Sequence, residues 1–262
     1  QFVVENRSGS GGNVGTDAIA KSRADGYTIG LGSVSSLAIA PTLYASLPFD
    51  VARDFTWLGG IWQLPNMLVV NNDVPARSVP ELIALLKANP GKYTFASSGA
   101  GTTVHLSGEM LKTMAGVDVV HVPYRGGAPA HVDLLGGRVH MIFDNIPQAL
   151  AEAREGKVRA LAVTGTERSP AAPELPTMAE FYPEFVITSW GSAVAPAGVP
   201  REMVERVSAL SRKALQSPEL IARFQENGAT PWWTTPEAFG RFRAEQQAFF
   251  APLIRASGAR VE

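Results

Sequence analysis

Residues 95–111 gather side chains that could serve as a nucleophile, a base or an anion-binding loop. The segment reads FASSGAGTTVHLSGEML and contains Ser98, His105 and Glu109. A serine hydrolase places its nucleophile in a G-x-S-x-G pattern at a strand-to-helix turn. The turn context is right here, but the glycine two residues before a serine is missing. A hydrolase or acyl-transfer enzyme that uses Ser98 and His105 therefore stands as an alternative function.

The same segment is a weak match to nucleotide-binding loops. No lysine follows its glycines, and Val104 stands where a dinucleotide fingerprint requires its third glycine. A Ser/Gly/Thr-rich turn before a helix nevertheless exposes backbone N–H groups at the positive end of the helix dipole, which suits a carboxylate. The alternative is an ordinary capped helix. The residues predicted to form this cradle are Ser97, Ser98, Gly99, Gly101, Thr102 and Thr103.

Further candidate ligand-binding residues follow two later predicted strands, and two more lie elsewhere in the chain. Tyr124 and Arg125 open a loop before a helix and could bind a carboxylate, although Arg125 is interpreted as a surface residue. Asp144 ends a strand, where it could accept a bond from a ligand amine or water, or cap the next turn. The predicted binding set is completed by Ser33 and Trp190.

The histidines do not predict a metal site, and no cofactor is predicted. All four lie between residues 105 and 140, but no pair has a familiar ligand spacing such as H-E-x-x-H. The chain has no cysteine, which excludes thiol catalysis, disulfides and thiolate metal ligands.

Strand and helix patterns alternate along the chain, which predicts an α/β fold with parallel strand pairing. Residues 169–200 hold many prolines and little periodicity and are predicted to cross between lobes, and the remainder is helical. The predicted strands are 2–4, 27–32, two runs in 58–70, 93–96, 117–123, 139–143 and 158–163. The predicted helices are 13–23, one that begins at 78, 102–115, 128–135, 147–155, 200–215, one that begins at 217, and 236–256.

Composition narrows the class of protein. The 262 residues are 45% hydrophobic and carry a net charge of −1, which does not favour a nucleic-acid partner. The uncharged run 26–49 contains Pro41, Pro48 and several glycines, so it is not interpreted as a membrane helix.

Residues 1–7 lack a signal-peptide pattern and open on a predicted strand. We therefore expect that sequence upstream of Gln1 is missing.

Short motifs along the chain carry a resemblance to a known family. They are VENR (4–7), GGN (11–13), ADGYT (24–28), LYASLPFD (43–50), DF (54–55), SSGAGT (97–102), HL (105–106), HVPYRG (121–126), DLLGG (133–137), RALAVT (159–164), LPT (175–177) and residues 190–200. In this order they resemble the substrate-binding receptors of tripartite tricarboxylate transporters, the Bug family of bacterial periplasmic proteins.

The resemblance implies a two-lobed, type II periplasmic-binding-protein-like fold that closes around a small organic carboxylate. Its lobes would be residues 1–96 with 195–262, and residues 97–194. The implied protein is a non-catalytic periplasmic monomer that delivers a mono- or dicarboxylate, an amino acid or an aromatic acid to a membrane permease; a signalling receptor for a carboxylate is an alternative. The resemblance also places Tyr124 and Asp144 at the cleft. Family members begin with a strand and a glycine-rich loop that are not found here, so half of the expected site would lie upstream of Gln1.

Overall fold

The computed structural model describes residues 3–7 and 9–261, which form two compact units. Unit 1 contains the chain up to Trp62, Trp190–Leu220 and the residues from Pro231 onward. Unit 2 contains Gln63–Ser189 and Ile221–Thr230. The predicted boundary at Ala96 differs from this division, because residues 63–96 supply two strands and a helix that pack within unit 2.

Within residues 3–7 and 9–261, seven strands and nine α-helices build the fold, in addition to a two-residue strand, Thr230–Pro231. The strands are β1 (Gly30–Ser33), β2 (Phe55–Asn71), β3 (Thr94–Ser97), β4 (Val120–Pro123), β5 (Met141–Asn145), β6 (Val158–Val163) and β7 (Thr188–Pro196). The helices are α1 (Asn13–Ala20), α2 (Ala40–Leu43), α3 (Val79–Ala88), α4 (Thr103–Ala115), α5 (Gly127–Leu135), α6 (Ile146–Arg154), α7 (Arg201–Leu215), α8 (Pro218–Glu226) and α9 (Pro236–Ser257).

The alternation of strands and helices confirms the predicted α/β class, with local differences. The region predicted to cross between lobes contains β7, nine residues long and almost wholly buried, whose mostly small side chains give no alternating pattern. Val3 and Val4 are exposed and lie outside any strand, so the predicted strand 2–4 is wrong at these two positions. Phe2, its first residue, is outside the described residues.

The sheet of unit 2 has the strand order β6-β2-β5-β3-β4. β3 pairs in parallel with β4 and β5, whereas β2 runs antiparallel to β5 and β6. The carboxyl ends of β3, β4, β5 and β6 therefore lie at one edge of this sheet, together with the Asn66 region of β2. Phe95, Phe143 and Phe185 fill its core.

Unit 1 is built on the antiparallel pair β1 and β7, with β2 next to β7. A π-helical turn, Ser35–Ile39, follows β1 closely and packs against α9. The largest fully buried side chains of this unit include Trp190, Phe239 and Phe250. None of the described helices combines the length and apolar character needed to cross a membrane.

Candidate functional site

Three helices of unit 2 begin at the carboxyl edge of its sheet. α4, α5 and α6 each follow one of the parallel strands β3, β4 and β5 after a short turn. The first N–H groups of a helix lack acceptors within the helix, and the helix dipole adds partial positive charge at this end. Open α/β sheets bind ligands at such an edge. The predicted cradle residues 97–103 form the first of these three turns.

Local hydrogen bonds fix the shape of the β3–α4 turn. Gly99 and Gly101 have φ angles of 135° and 75°, which favour glycine. The Thr102 side chain accepts from the N–H of His105 and donates to the Gly99 carbonyl, at 3.3 and 2.8 Å. The cap leaves the N–H groups of Thr103 and Val104 without an acceptor within the helix. Ser98 and Gly99 remain partly exposed, so they form the accessible part of the turn.

Behind the turn lies a group of side chains that we call the neutral cluster: Ser97, His105, His121 and Phe95. Ser97 Oγ accepts from the Gly99 N–H and lies 2.7 Å from Nε2 of His121. The His105 and His121 rings stack at 4.2 Å. Burial is the main reason that the pKa of His105 falls to about 3 and that of His121 to about 4. Both imidazoles are therefore uncharged at neutral pH.

The neutral cluster corrects the prediction that Ser98 and His105 could form a catalytic pair. Nδ1 of His105 accepts from the Gly101 N–H at 3.2 Å, and the residue is 4% exposed. The serine that contacts a histidine is Ser97, which is fully buried. A nucleophile must reach its substrate, so this serine shapes the turn instead. Because the Ser97 side chain is buried, only the backbone of Ser97 stays a predicted ligand contact.

Asn66 supports the start of α4 and was not found from the sequence. It is fully buried in β2; its Nδ2 donates to Ser107 Oγ at 3.1 Å, and its Oδ1 accepts from Thr103 Oγ1 at 3.4 Å. These bonds hold α4 against the sheet edge. An amide that interrupts the apolar run 64–70 of β2 is the signal that could have indicated it, because buried polar groups require partners.

The other two helix starts have no side-chain cap. Gly126 precedes α5 with a φ of 122°, and Asn145 precedes α6. Oδ1 of Asn145 is buried without a hydrogen-bond partner. The first N–H groups of these helices, those of Gly127 and Ile146 among them, lack acceptors within their helices. This edge therefore offers backbone N–H donors at both helix starts, together with the unpaired Oδ1 acceptor of Asn145.

Tyr124 is partly buried at the start of the β4–α5 turn. Its N–H donates to the Ser97 carbonyl at 3.0 Å, and its hydroxyl donates to Asp133 Oδ2 at 2.7 Å. Burial and this carboxylate raise the pKa of Tyr124 to about 12, and Asp133 is also paired with Arg138. The phenol thus has an internal partner. Arg125, in the same turn, is exposed.

Asp144 belongs to a second group, which we call the charged cluster: Asp144, His131 and Glu152. Nε2 of His131 lies 2.6 Å from Asp144 Oδ2, and Nδ1 lies 2.5 Å from Glu152 Oε2. Burial disfavours the charge on His131, but the two carboxylates outweigh it and raise its pKa. The Oδ2 atom of Asp144 thus contacts His131, and a cap on the following turn stays a prediction. His131 and Glu152 were not predicted from the sequence.

Ser33 and Trp190 lie in unit 1. Ser33 ends β1, is partly buried, and lies near the start of α1, since a Cβ on Gly12 would approach Ser33 Oγ to 3.9 Å. Trp190 is fully buried, donates to Gln246 Oε1 at 3.1 Å and packs edge-on against Phe239. Its side chain is part of the core and presents no surface to a ligand, which corrects its predicted role.

The polar groups of these clusters are arranged for hydrogen bonding among themselves. Within residues 3–7 and 9–261, no group of three or more histidine, aspartate or glutamate side chains is arranged to hold a metal ion. What the edge offers to a ligand is a set of backbone N–H groups and neutral hydroxyls, which bind an oxyanion through hydrogen bonds.

Comparison with known proteins identifies relatives of the whole chain. The model of the family described as "Tripartite tricarboxylate transporter family receptor" matches residues 1–259. Protein BugT of Bordetella pertussis is 39% identical over 262 residues, which cover 99% of this chain and 80% of BugT.

Two solved structures are similar in fold and sequence. "R. palustris Rpa4515 with adipate" has a TM-score of 0.95 and 36% identity, over 99% of this chain and 88% of the other. MatC from Rhodopseudomonas palustris with bound malate has a TM-score of 0.84 and 26% identity, over 94% and 85%. These likenesses confirm the predicted periplasmic-binding-protein-like fold. The chain belongs to the tripartite tricarboxylate transporter receptor family, whose members are periplasmic solute-binding proteins and not enzymes.

Proposed function

We propose that the carboxyl edge of the unit 2 sheet binds a carboxylate group of a small organic acid. The observation that carries the proposal is the convergence of three helix starts, two of them uncapped, at the ends of three parallel strands. Backbone N–H groups at helix starts stabilise an anion without a charged side chain. The accessible turn residues Ser98, Gly99 and Ala100 carry no charge.

Within this site, we assign the ligand contacts to the backbone of residues 97–103 and to the hydroxyl of Ser98. Tyr124 is kept as a proposed contact whose phenol oxygen, donating to Asp133, would accept from a ligand hydroxyl or amine. Asp144 lies at the same edge, where its carboxylate would accept a bond from a ligand hydroxyl, amine or water. Ser33, which lies in unit 1, stays a prediction from the sequence. The relatives with adipate and malate support small dicarboxylates as the ligand class.

We also propose that the protein works in the periplasm and delivers its ligand to the membrane permease of a tripartite tricarboxylate transporter. Support comes from the family, which is named for this transporter. Loss of carboxylate uptake in cells that lack this chain, restored by its expression, would support delivery. Binding without any uptake defect would point to a signalling role instead.

Binding is tested by isothermal titration calorimetry with adipate and malate as probes. Ser98→Asp and Ser98→Asn form a matched pair, because the two side chains differ mainly in charge and Ser98 is partly exposed. A negative charge close to the bound carboxylate should lower the affinity at least tenfold, whereas Ser98→Asn should stay within about threefold. Equal affinities for the two variants would place the carboxylate elsewhere.

A neutral analogue of the probe separates carboxylate recognition from apolar binding. Adipamide has the carbon chain of adipate without its charges, so it should bind at least tenfold more weakly to the wild-type protein. Equal binding of adipamide and adipate would contradict an anion site. No heat and no thermal stabilisation with any tested carboxylate would contradict the proposed function.

A further inference from the structure

His131 is held between two carboxylates, one on each side of its ring. Nε2 faces Asp144 Oδ2 from β5 at 2.6 Å, and Nδ1 faces Glu152 Oε2 from α6 at 2.5 Å. The three side chains are 3%, 7% and 14% exposed. Water therefore does little to screen these contacts.

Counting protons favours the charged form of the histidine. A neutral imidazole carries one N–H and one lone pair, so with both carboxyl groups ionised one of its nitrogens would face a carboxylate oxygen without a proton. The imidazolium donates to both. Its single positive charge stands against two negative ones, which leaves the charged cluster with a net charge of −1.

The other charged groups nearby are engaged elsewhere or lie further out. On α5, Asp133 pairs with Arg138 and Tyr124. Beyond Glu152, Lys157 pairs with Glu155 and lies close enough to Glu152 to sense its charge. The remaining polar neighbour on α6 is Gln148, whose Nε2 is 3.4 Å from Glu152 Oε1.

The charged cluster lies directly below the uncapped start of α5. A Cβ placed on Gly127 would be 3.7 Å from Asp144 Oδ2 and 3.6 Å from Gln148 Oε1. The His131 ring thus connects α5 to β5 and to α6, the two elements that flank the other uncapped helix start. An unneutralised Asp144 at this position would repel a ligand carboxylate.

We propose that His131 is the positioning residue of the carboxylate site, a cation that ties α5 to β5 and α6 and offsets the charge of Asp144. This inference rests on the proposed function of the same edge. It predicts that affinity for a dicarboxylate follows the net charge of the charged cluster. Removing the cation weakens binding, and removing one carboxylate from the cation-free variant restores it.

The test is a charge series measured with adipate and malate at pH 7. His131→Gln makes the net charge of the cluster more negative, from −1 to −2, and should weaken binding about tenfold. The double variant His131→Gln/Glu152→Gln returns the net charge to −1 and should recover most of that loss. Glu152→Gln alone leaves the cluster neutral and should bind at least as tightly as the wild-type protein.

The control is His140→Gln, the same substitution at the opposite edge of the same sheet, where His140 Nδ1 accepts from the Thr94 N–H. It should leave the affinity within about twofold of wild type. Circular dichroism verifies that each variant is folded. Equal affinities of the single and double variants would overturn the charge-offsetting role. Absence of binding by the wild-type protein would instead overturn the proposed function.

A measurement without ligand tests the protonation directly. In ¹⁵N-edited NMR of the labelled chain, both His131 ring nitrogens should have the shifts of protonated nitrogen at pH 7, and His140→Gln should leave these signals in place. His131→Gln identifies the signals by their loss. A neutral His131 at pH 7 would overturn the inference, whatever the binding series gives, and this readout remains decisive if a variant fails to fold.

Discussion

The neutral cluster and the charged cluster lie in the same unit, and each contains a buried histidine, yet their electrostatics are opposite. Nδ1 of His105 accepts from a backbone N–H, and its Nε2 lies 3.8 Å from Glu109, a carboxylate that is itself paired with Lys112. His121 faces Ser97, so burial prevails at both rings and the pKa of each falls. His131 faces two carboxylates at hydrogen-bond distance, which outweigh its burial and raise its pKa. The charge of a buried histidine therefore depends on the balance between burial and the partners at its two nitrogens.

The two clusters stabilise their surroundings by different kinds of interaction. The neutral cluster shapes the β3–α4 turn by packing and neutral hydrogen bonds, whereas the charged cluster ties two helices to a strand through charge-assisted ones. Variants of the charged cluster should therefore depend on charge, and those of the neutral cluster on shape.

The largest effect is expected for His131→Leu. This substitution leaves Asp144 and Glu152 buried without their cation, which should lower the free energy of unfolding by about 3–5 kcal/mol. Urea denaturation followed by circular dichroism measures it. The comparison variant His121→Leu removes a neutral ring and should cost about 1–2 kcal/mol. If His131→Leu lowered the free energy of unfolding no more than His121→Leu does, the proposed difference in charge between the two clusters would be contradicted.

A smaller effect is expected for Gly108→Ala, which tests the packing of the neutral cluster. A Cβ at this position would lie 2.1 Å from Cε2 of Phe95, whose ring stacks on His121 at 4.8 Å. The overlap must push this ring aside and should cost about 1–3 kcal/mol, despite the better helix propensity of alanine. Thermal unfolding measures the change, and an increase in stability would show that the ring moves freely.

The pH dependence of stability should differ in sign between the clusters. The folded-state pKa of His121 is lowered to about 4, so its contribution is present above the unfolded value near 6.5 and is lost as pH falls toward 4. The folded-state pKa of His131 is raised, so its contribution is complete below about 6.5 and is lost as pH rises through the folded value.

Urea titrations of the wild-type protein, His121→Gln and His131→Gln between pH 4 and 9 test these signs. The stability difference between wild type and His121→Gln should shrink toward acid by roughly 1–2 kcal/mol, a value discounted for the partial exposure of this ring. The difference between wild type and His131→Gln should shrink toward alkaline pH. Parallel curves for the two variants would contradict the assigned charge states.

The smallest effect is expected for Thr102→Ala at the start of α4. It removes the side-chain cap on His105 N–H and the bond to the Gly99 carbonyl, which should cost about 1 kcal/mol. Thr235→Ala, which removes the corresponding cap of α9, is the matched control for stability. Only Thr102→Ala should also weaken adipate or malate binding, because it loosens the turn. Equal binding by both variants would limit the role of Thr102 to capping.

Much of unit 2 could be predicted from local patterns. The helix predicted at 102–115 and the glycine-containing turn before it both depend on interactions within a few residues. Such effects leave a trace in the sequence because the interacting groups are neighbours along the chain. The short motifs from residue 4 to residue 200 were sufficient to predict the family, which the family model confirms.

The partners of the polar side chains could not be predicted in the same way. His131 and Glu152 are separated by 21 residues along the chain, and Asn66 and Ser107 by 41. Trp190 was predicted to border a ligand because it lies in an uncharged, glycine-containing segment. Its ring packs instead against Phe239 and Phe242 of α9, and only the fold brings these residues together.

Local patterns along the chain were sufficient to predict the α/β class, the family and the strand-to-helix turn at residues 97–103, because periodicity, capping and glycine conformations act between neighbouring residues. The tertiary structure decided which serine contacts a histidine, which histidine carries a charge, and where Asp144 directs its carboxylate. Sheet order sets these outcomes: it brings β3, β4 and β5 to one edge and determines which buried polar groups meet. The energy of a buried charge depends on its partners in space and not on its neighbours in sequence.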